Sequence, residues 1–470
     1  MTPALVDSVP RPRRAVWLGY VGAFALSIGA FFVVRHFGER LPLPTTARVT
    51  PAAGAHAETL GQVLRAIAIV VVVARLVGRT FERFLGQPAV SGEIVAGILL
   101  GPSFLGAIAP SVQAFVLPPA AASHLGIVAK IGVVLFMFLV GLELDPRLLR
   151  GRAQATLAIA HASILVPFVA GAALALAVFP RYGLAGSSFT VFALFFGVSM
   201  AVTAFPVLAR ILAARGWSST PLGTTALACA AVGDATAWCL LAFVSGVARS
   251  ELGHASWTMI LVLAHAALVT FVARPLVERL AAREERREGP VSPTVFAIVF
   301  GGMLASAVVT EAIGIHALFG AFLFGAMIPH DGRLATQIRA RTEDLVVVLL
   351  LPIFFAFTGM RTRLGLVSRP SDVLFLVVIV AVASLGKIVG TFAAARFTGL
   401  PRREAGILGI LMNTRGLMEL VVLDVGLDMG VLSPTLFTML VTMALVTTLG
   451  TPLLLGRVRD AAPRSTTLGG

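Results

Sequence analysis

Long apolar runs, separated by short arginine-bearing turns, occupy nearly the whole chain. A membrane helix needs about 20 largely apolar residues. Fourteen stretches qualify: residues 15–34, 61–78, 89–107, 124–144, 153–178, 187–213, 221–247, 256–274, 293–310, 314–329, 344–361, 371–395, 403–427 and 434–456. The pattern predicts an all-α, polytopic membrane protein with about 14 transmembrane helices. The first run follows Arg11, Arg13 and Arg14, as a signal peptide would. Its length, and the lack of a small-residue cleavage site after Val34, favour a retained helix.

Composition narrows the class. Of 470 residues, 57% are hydrophobic and 13% charged, against about 25% charged in an average soluble domain. So few charges cannot coat a soluble protein of this length, which excludes an ordinary soluble enzyme. Lysine and arginine total 37, aspartate and glutamate 23, for a net charge of +14. The basic residues are scattered through short loops and form no patch, so nucleic acid is not the partner. Topology explains them better. With the N-terminus in the cytoplasm, 25 arginines fall inside, 9 outside, and Arg415 lies within a helix. That is a positive-inside bias with both termini cytoplasmic. The outer exceptions are the 35–65 segment and Arg361, Arg363 and Arg369. Cys229 and Cys239 lie ten apart on one helix, point in different directions and read as unpaired packing residues.

Three regions follow. Residues 1–60 hold an extra helix and an outer loop, 61–460 the transmembrane domain, and 461–470 a cytoplasmic tail too short for a regulatory domain. The stretch from Arg274 to Glu288 mixes both signs and reads as a solvated linker between two halves.

Two helices are interrupted. One carries Thr203-Ala204-Phe205-Pro206, the other Asn413-Thr414-Arg415-Gly416. Proline removes a backbone donor, and glycine with asparagine weakens a helix. The two run in opposite directions, one in each half. Such a pair points to an inverted-repeat secondary transporter.

Charges at bilayer depth are costly and so suggest function. They are Glu93, Lys130, Asp234, Glu311, Lys387, Arg415, Glu419 and Asp424. Glu143 and Asp145 sit at a helix end near Arg147 and Arg150 and read as an anchoring ion-pair cluster. Asp234 is central in an apolar helix, with no cation within four residues. Desolvation penalises its charged form, so it either takes a proton or holds a small cation. One site with two competing charges is the minimum for cation/proton exchange. Lys387 either pairs with Asp234 or steadies the broken helices. Arg415 and Glu419 are spaced i, i+4 and pair locally; Glu93 is a further candidate partner for Arg415. The Ser199 and Thr203 hydroxyls are candidates to complete an oxygen cage around an alkali ion at Asp234. His316 is either a packing residue or a pH sensor. An intramembrane aspartyl protease would need a second aspartate of a dyad and a glycine where Ala231 stands.

Together these residues resemble the second monovalent cation:proton antiporter family. The plant and fungal cation/proton exchanger branch looks closest, Kef-type transporters more distant. The resemblance rests on residues 87–103 (QPAVSGEIVAGILLGPS), 138–145 (FLVGLELD), 199–212 (SMAVTAFPVLARIL), 230–241 (AAVGDATAWCLL), 313–325 (IGIHALFGAFLFG), 351–359 (LPIFFAFTG), 386–392 (GKIVGTF) and 411–420 (LMNTRGLMEL), in the family's order. It implies an inverted-repeat Na+/H+ antiporter-like fold with two crossed broken helices, a dimerisation domain and a mobile core. It implies that Asp234 is the shared proton/cation carboxylate, with Lys387 the basic residue facing it and Thr203 on the unwound segment near the ion. It implies a homodimer in membrane lipid and no cofactor.

The chain departs from the family at Gly233, where an asparagine or aspartate usually precedes the key aspartate. A single carboxylate makes one-for-one, electroneutral exchange the natural stoichiometry. The reading is a multi-pass antiporter of the plasma membrane, the inner membrane of a bacterium, exchanging K+ or Na+ for H+. The alternative is a proton-coupled transporter of an organic ion on the same fold.

Overall fold

In this computed structural model the described residues are 14–41, 60–143, 153–218, 220–249, 255–287, 289–330 and 332–457. Every regular element among them is a helix. In chain order these are α1 (Arg14–Gly38), α2 (Leu60–Leu85), α3 (Ala89–Leu100), α4 (Leu105–Ile108), α5 (Pro110–Val116), α6 (Pro119–Glu143), α7 (Ala153–Tyr182), α8 (Phe189–Ala201), α9 (Phe205–Ala214) and α10 (Pro221–Arg249). There follow α11 (Ala255–Leu268), α12 (Arg274–Glu285), α13 (Pro293–Ile313), α14 (Ala317–Ala326), α15 (Arg333–Asp344), α16 (Leu351–Arg361), α17 (Pro370–Phe397), α18 (Arg402–Met412), α19 (Leu417–Asp428) and α20 (Pro434–Arg457).

Among the described residues, twelve helical segments are long and apolar enough to cross a membrane, and the α18–α19 pair, bent by 42°, makes thirteen. The fourteenth expected span, 314–329, contracts to the ten residues of α14. At 1.5 Å per residue, α14 reaches about 15 Å, short of a bilayer core of about 30 Å. The chain around it still runs the length of α6. His316 shares a pocket with Lys130 on α6, and His330 Nδ1 lies 3.0 Å from the Leu142 carbonyl near the other end of that helix.

The charged linker after Arg274 is mostly helical, not a loop. α11 passes through a π-helical segment, Val269–Ala273, straight into α12. Its charges support the helix: Arg274 pairs with Glu278 at 2.8 Å, an i, i+4 contact. Glu143 pairs with Arg339 on α15 at 2.7 Å, not with its neighbours in sequence; Asp145, Arg147, Arg150 and the tail 461–470 lie outside the described residues.

Packing divides the helices into two bundles. One contains α2, α3, α6, α13, α14 and α16; the other contains α7 to α10 and α17 to α20. α1 lies on the second bundle, against α7 and α8. Its end is tied there by Glu39, which accepts hydrogen bonds from Thr190 and Arg35 at 2.8 Å each.

The two halves of the chain repeat one packing scheme. α2 packs on α3 as α13 packs on α14, and α7 on α8 as α17 on α18. Across the halves, α3 crosses α16 and α6 crosses α14. Each crossing needs a glycine from both helices. A Cβ on Gly97 would sit 2.0 Å from the Ala356 carbonyl oxygen, and one on Gly359 2.2 Å from that of Ile94. Likewise, a Cβ on Gly141 would lie 2.2 Å from the Phe322 oxygen, and one on Gly325 2.2 Å from that of Phe138. Small residues at such contacts let backbones approach where no hydrophobic effect drives helices together.

Candidate functional site

The two breaks meet inside the second bundle. α8 ends at Ala201, and residues 202–204 are non-helical before Phe205 and Pro206 open α9. α18 ends at Met412, and residues 413–416 are non-helical before α19. The Ala204 N–H donates to the Thr414 carbonyl at 3.0 Å, and the Thr203 hydroxyl to the Met412 carbonyl at 3.1 Å. Gly416 fits because a Cβ there would press on Val207 Cγ2 at 2.7 Å. The unwound segments therefore satisfy each other's backbone groups, which water cannot do at bilayer depth.

Each break leaves a negative and a positive helix end in apolar surroundings. Buried cations meet the two C-terminal ends. Arg415 donates to the Ser199 and Met200 carbonyls at the end of α8, both at 2.7 Å. Lys387, on α17 and fully buried, donates to the Thr203 hydroxyl and, at 3.3 Å, to the Ser163 carbonyl on α7. Thr203 passes that contact on to Met412, the last residue of α18. Carboxylates meet the two N-terminal ends. Glu419 lies in the first turn of α19 and pairs with Arg415 at 3.1 Å. Asp234, on α10, faces the Phe205 N–H at the start of α9.

Asp234 is 3% exposed, and neither carboxylate oxygen has a hydrogen-bond partner. Lys387 is the charged side chain acting on it, but the two are not bonded. Asn413 Oδ1, in the second break, is also buried without a partner. Buried oxygens left unpaired are costly. Gly233 beside Asp234 is uncrowded: a Cβ there would find its nearest neighbour, Ile164 Cδ1, at 4.0 Å.

The remaining expected residues distribute as follows. The Lys387 ammonium bonds to Thr203 and Ser163, at the broken helix. The Ser199 hydroxyl turns back to the Phe195 carbonyl at 2.8 Å, so at the crossing Ser199 offers its carbonyl, to Arg415. Glu93 does not reach Arg415; its partner is Arg75 on α2, at 3.6 Å. The Arg415–Glu419 pairing forms as the spacing predicts. Lys130 and Asp424 lie in a separate cluster with Arg361 and Asp428. The backbone groups that build the crossing, Ser163, Phe205, Met412 and Thr414, carry no side-chain signal in the sequence. Only the helix breaks hint at them.

Comparison with known proteins agrees with this architecture. The model of the family described as sodium/hydrogen exchanger, transmembrane, matches residues 68–458. The chain is 41% identical to Na(+)/H(+) antiporter NhaS4 of Synechocystis sp., covering 86% of this chain and 98% of that protein. It is 40% identical to cation/H(+) antiporter 17 of Arabidopsis thaliana over 83% of its own length, and 34% identical to K(+)/H(+) antiporter 1 of Saccharomyces cerevisiae over 81%. It spans about half the length of those two, 47% and 44%. Among solved structures, the sodium proton antiporter MjNhaP1 from Methanocaldococcus jannaschii superposes with a TM-score of 0.65 at 15% identity, covering 86% of this chain and 99% of that one. That likeness shows the fold. These relatives are transporters, not enzymes. With its crossed breaks, its paired halves and a family match over most of its length, the chain belongs to the sodium/hydrogen exchanger family.

Proposed function

We propose that the chain exchanges a monovalent cation, K+ or Na+, for H+ across the plasma membrane, with Asp234 as the shared carboxylate. The observation that carries this reading is a buried aspartate with two unpaired oxygens, set at the positive end of a half-helix. A proton or a cation neutralises the same carboxylate, so they exclude each other. Only the neutralised site crosses the apolar barrier cheaply, and alternation follows. Each loaded form of Asp234 carries the same charge, which makes exchange one-for-one and electroneutral.

Thr203 supplies a hydroxyl beside the ion. Ser199 contributes through its carbonyl and Arg415. Lys387, Arg415 and Glu419 hold the crossing in shape, and Glu93 supports the α2–α3 pair through Arg75. Residues 61–460 form the exchanging unit, and residues 1–60 an addition to it. The working assembly is a homodimer in the lipid bilayer.

Proteoliposomes with an imposed pH gradient test this. K+, Na+ or Li+ should collapse the gradient with the native chain and not with Asp234→Asn, and the ranking of ions names the substrate. If no alkali cation moves protons in either protein, alkali exchange is wrong. Collapse by an organic cation alone would instead support the organic-ion reading.

A further inference from the structure

The last turns of α19 carry two aspartates, Asp424 and Asp428, four residues apart. On an isolated helix this arrangement is unfavourable twice over. Like charges at i, i+4 repel, and both face the negative helix end. Their compensation comes from the other bundle. Arg361, closing α16, reaches Asp424 at 2.6 Å and Asp428 at 2.7 Å. Lys130 on α6 reaches Asp428 at 2.6 Å. Asp424 and Asp428, with Lys130 and His316, line a small pocket together with Phe354 and Val425. By the arginine distribution, this end of the molecule faces outward.

Among the described residues, ion pairs between the bundles are distributed unevenly. Three lie in this outer cluster, one of them on the buried Asp424. Toward the other face, Arg210 and Glu82 meet at 3.6 Å, and both are about half exposed. Exposed pairs of that kind contribute little.

From this we infer that Arg361 and Lys130 are gating residues of exchange: their pairs with Asp424 and Asp428 hold the half-helix α19 against α6 and α16 and close the outer route. Opening that route separates α19 from Arg361 and Lys130 and exposes the pocket. A closed outer mouth also explains why Arg361 sits on the side that membrane proteins keep poor in arginine.

The inference rests on the exchanger reading, since a gate needs a route. Its test therefore reads accessibility, which needs no transport. In a background with Cys229→Ala and Cys239→Ala, Val425→Cys places a thiol in the pocket. A membrane-impermeant thiol reagent is added outside intact cells. Arg361→Gln should speed labelling about tenfold, the factor for a closed state losing that much of its bias. Lys130→Gln, which removes only the half-exposed pair, should speed it less. Unchanged labelling in both variants, with protein that elutes as a single folded species, overturns the inference. It does so whether or not the liposome assay shows exchange. If Arg361→Gln fails to fold, Lys130→Gln decides alone by the same criterion.

Discussion

Arg415 and Lys387 sit in one apolar crossing, yet their chemistry is not interchangeable. Arg415 uses a planar fork to hold two carbonyls of α8 while pairing with Glu419. Lys387 acts as a point charge on a hydroxyl and a carbonyl. Arg415→Gln strands a buried carboxylate and two helix-end carbonyls, a loss of about 3–5 kcal/mol. A large drop in detergent melting temperature is expected, partly recovered in the Arg415→Gln/Glu419→Gln double variant. Equal melting temperatures for the single and double variants would refute the coupling. Gly233 gives the opposite expectation. Its surroundings leave room for a Cβ, so Gly233→Asp should fold. A second carboxylate would then make exchange respond to an imposed membrane potential, which the native chain should ignore.

Among the elements, the four-glycine framework is the most demanding. Gly97, Gly359, Gly141 and Gly325 each place a would-be Cβ against a backbone oxygen that cannot move aside. Overpacking costs about 1–3 kcal/mol even where side chains yield. Gly325→Ala should therefore melt early, while Gly301→Ala on α13, with open space at its Cβ, should not; similar curves for the two would contradict the role given to the crossing. Hydropathy made most of the helices legible, because a span must be long and apolar, and proline with glycine made both breaks legible. The short α14 misled that reading: its flanking residues are apolar without being helical. The linker after Arg274 misled it differently, since charge density marks solvation but i, i+4 pairing also favours helix. Of the candidate site, Asp234, Thr203 and the Arg415–Glu419 pair could be read from local sequence. The partners of Glu143 and Lys387 could not, because each comes from a helix distant in the chain, and Glu93 turns to Arg75 on the preceding helix where Arg415 was a candidate.

At the scale of the whole molecule, α1 packs against α7 and α8, in the bundle that holds the crossing. Removing residues 1–59 should leave exchange in liposomes intact; loss of exchange in a folded truncated protein would make α1 part of the working unit. The two halves otherwise build matching devices that face opposite ways. Each half-helix ending in the crossing meets a cation, directly at α8 and through Thr203 at α18. Matching packing does not give exchange a direction; the coupled gradients do. Net flux obeys whichever gradient is steeper, and reversing both gradients should run the protein backwards. What the cell obtains from it, salt expulsion or acid relief, is decided by the solutions on its two sides.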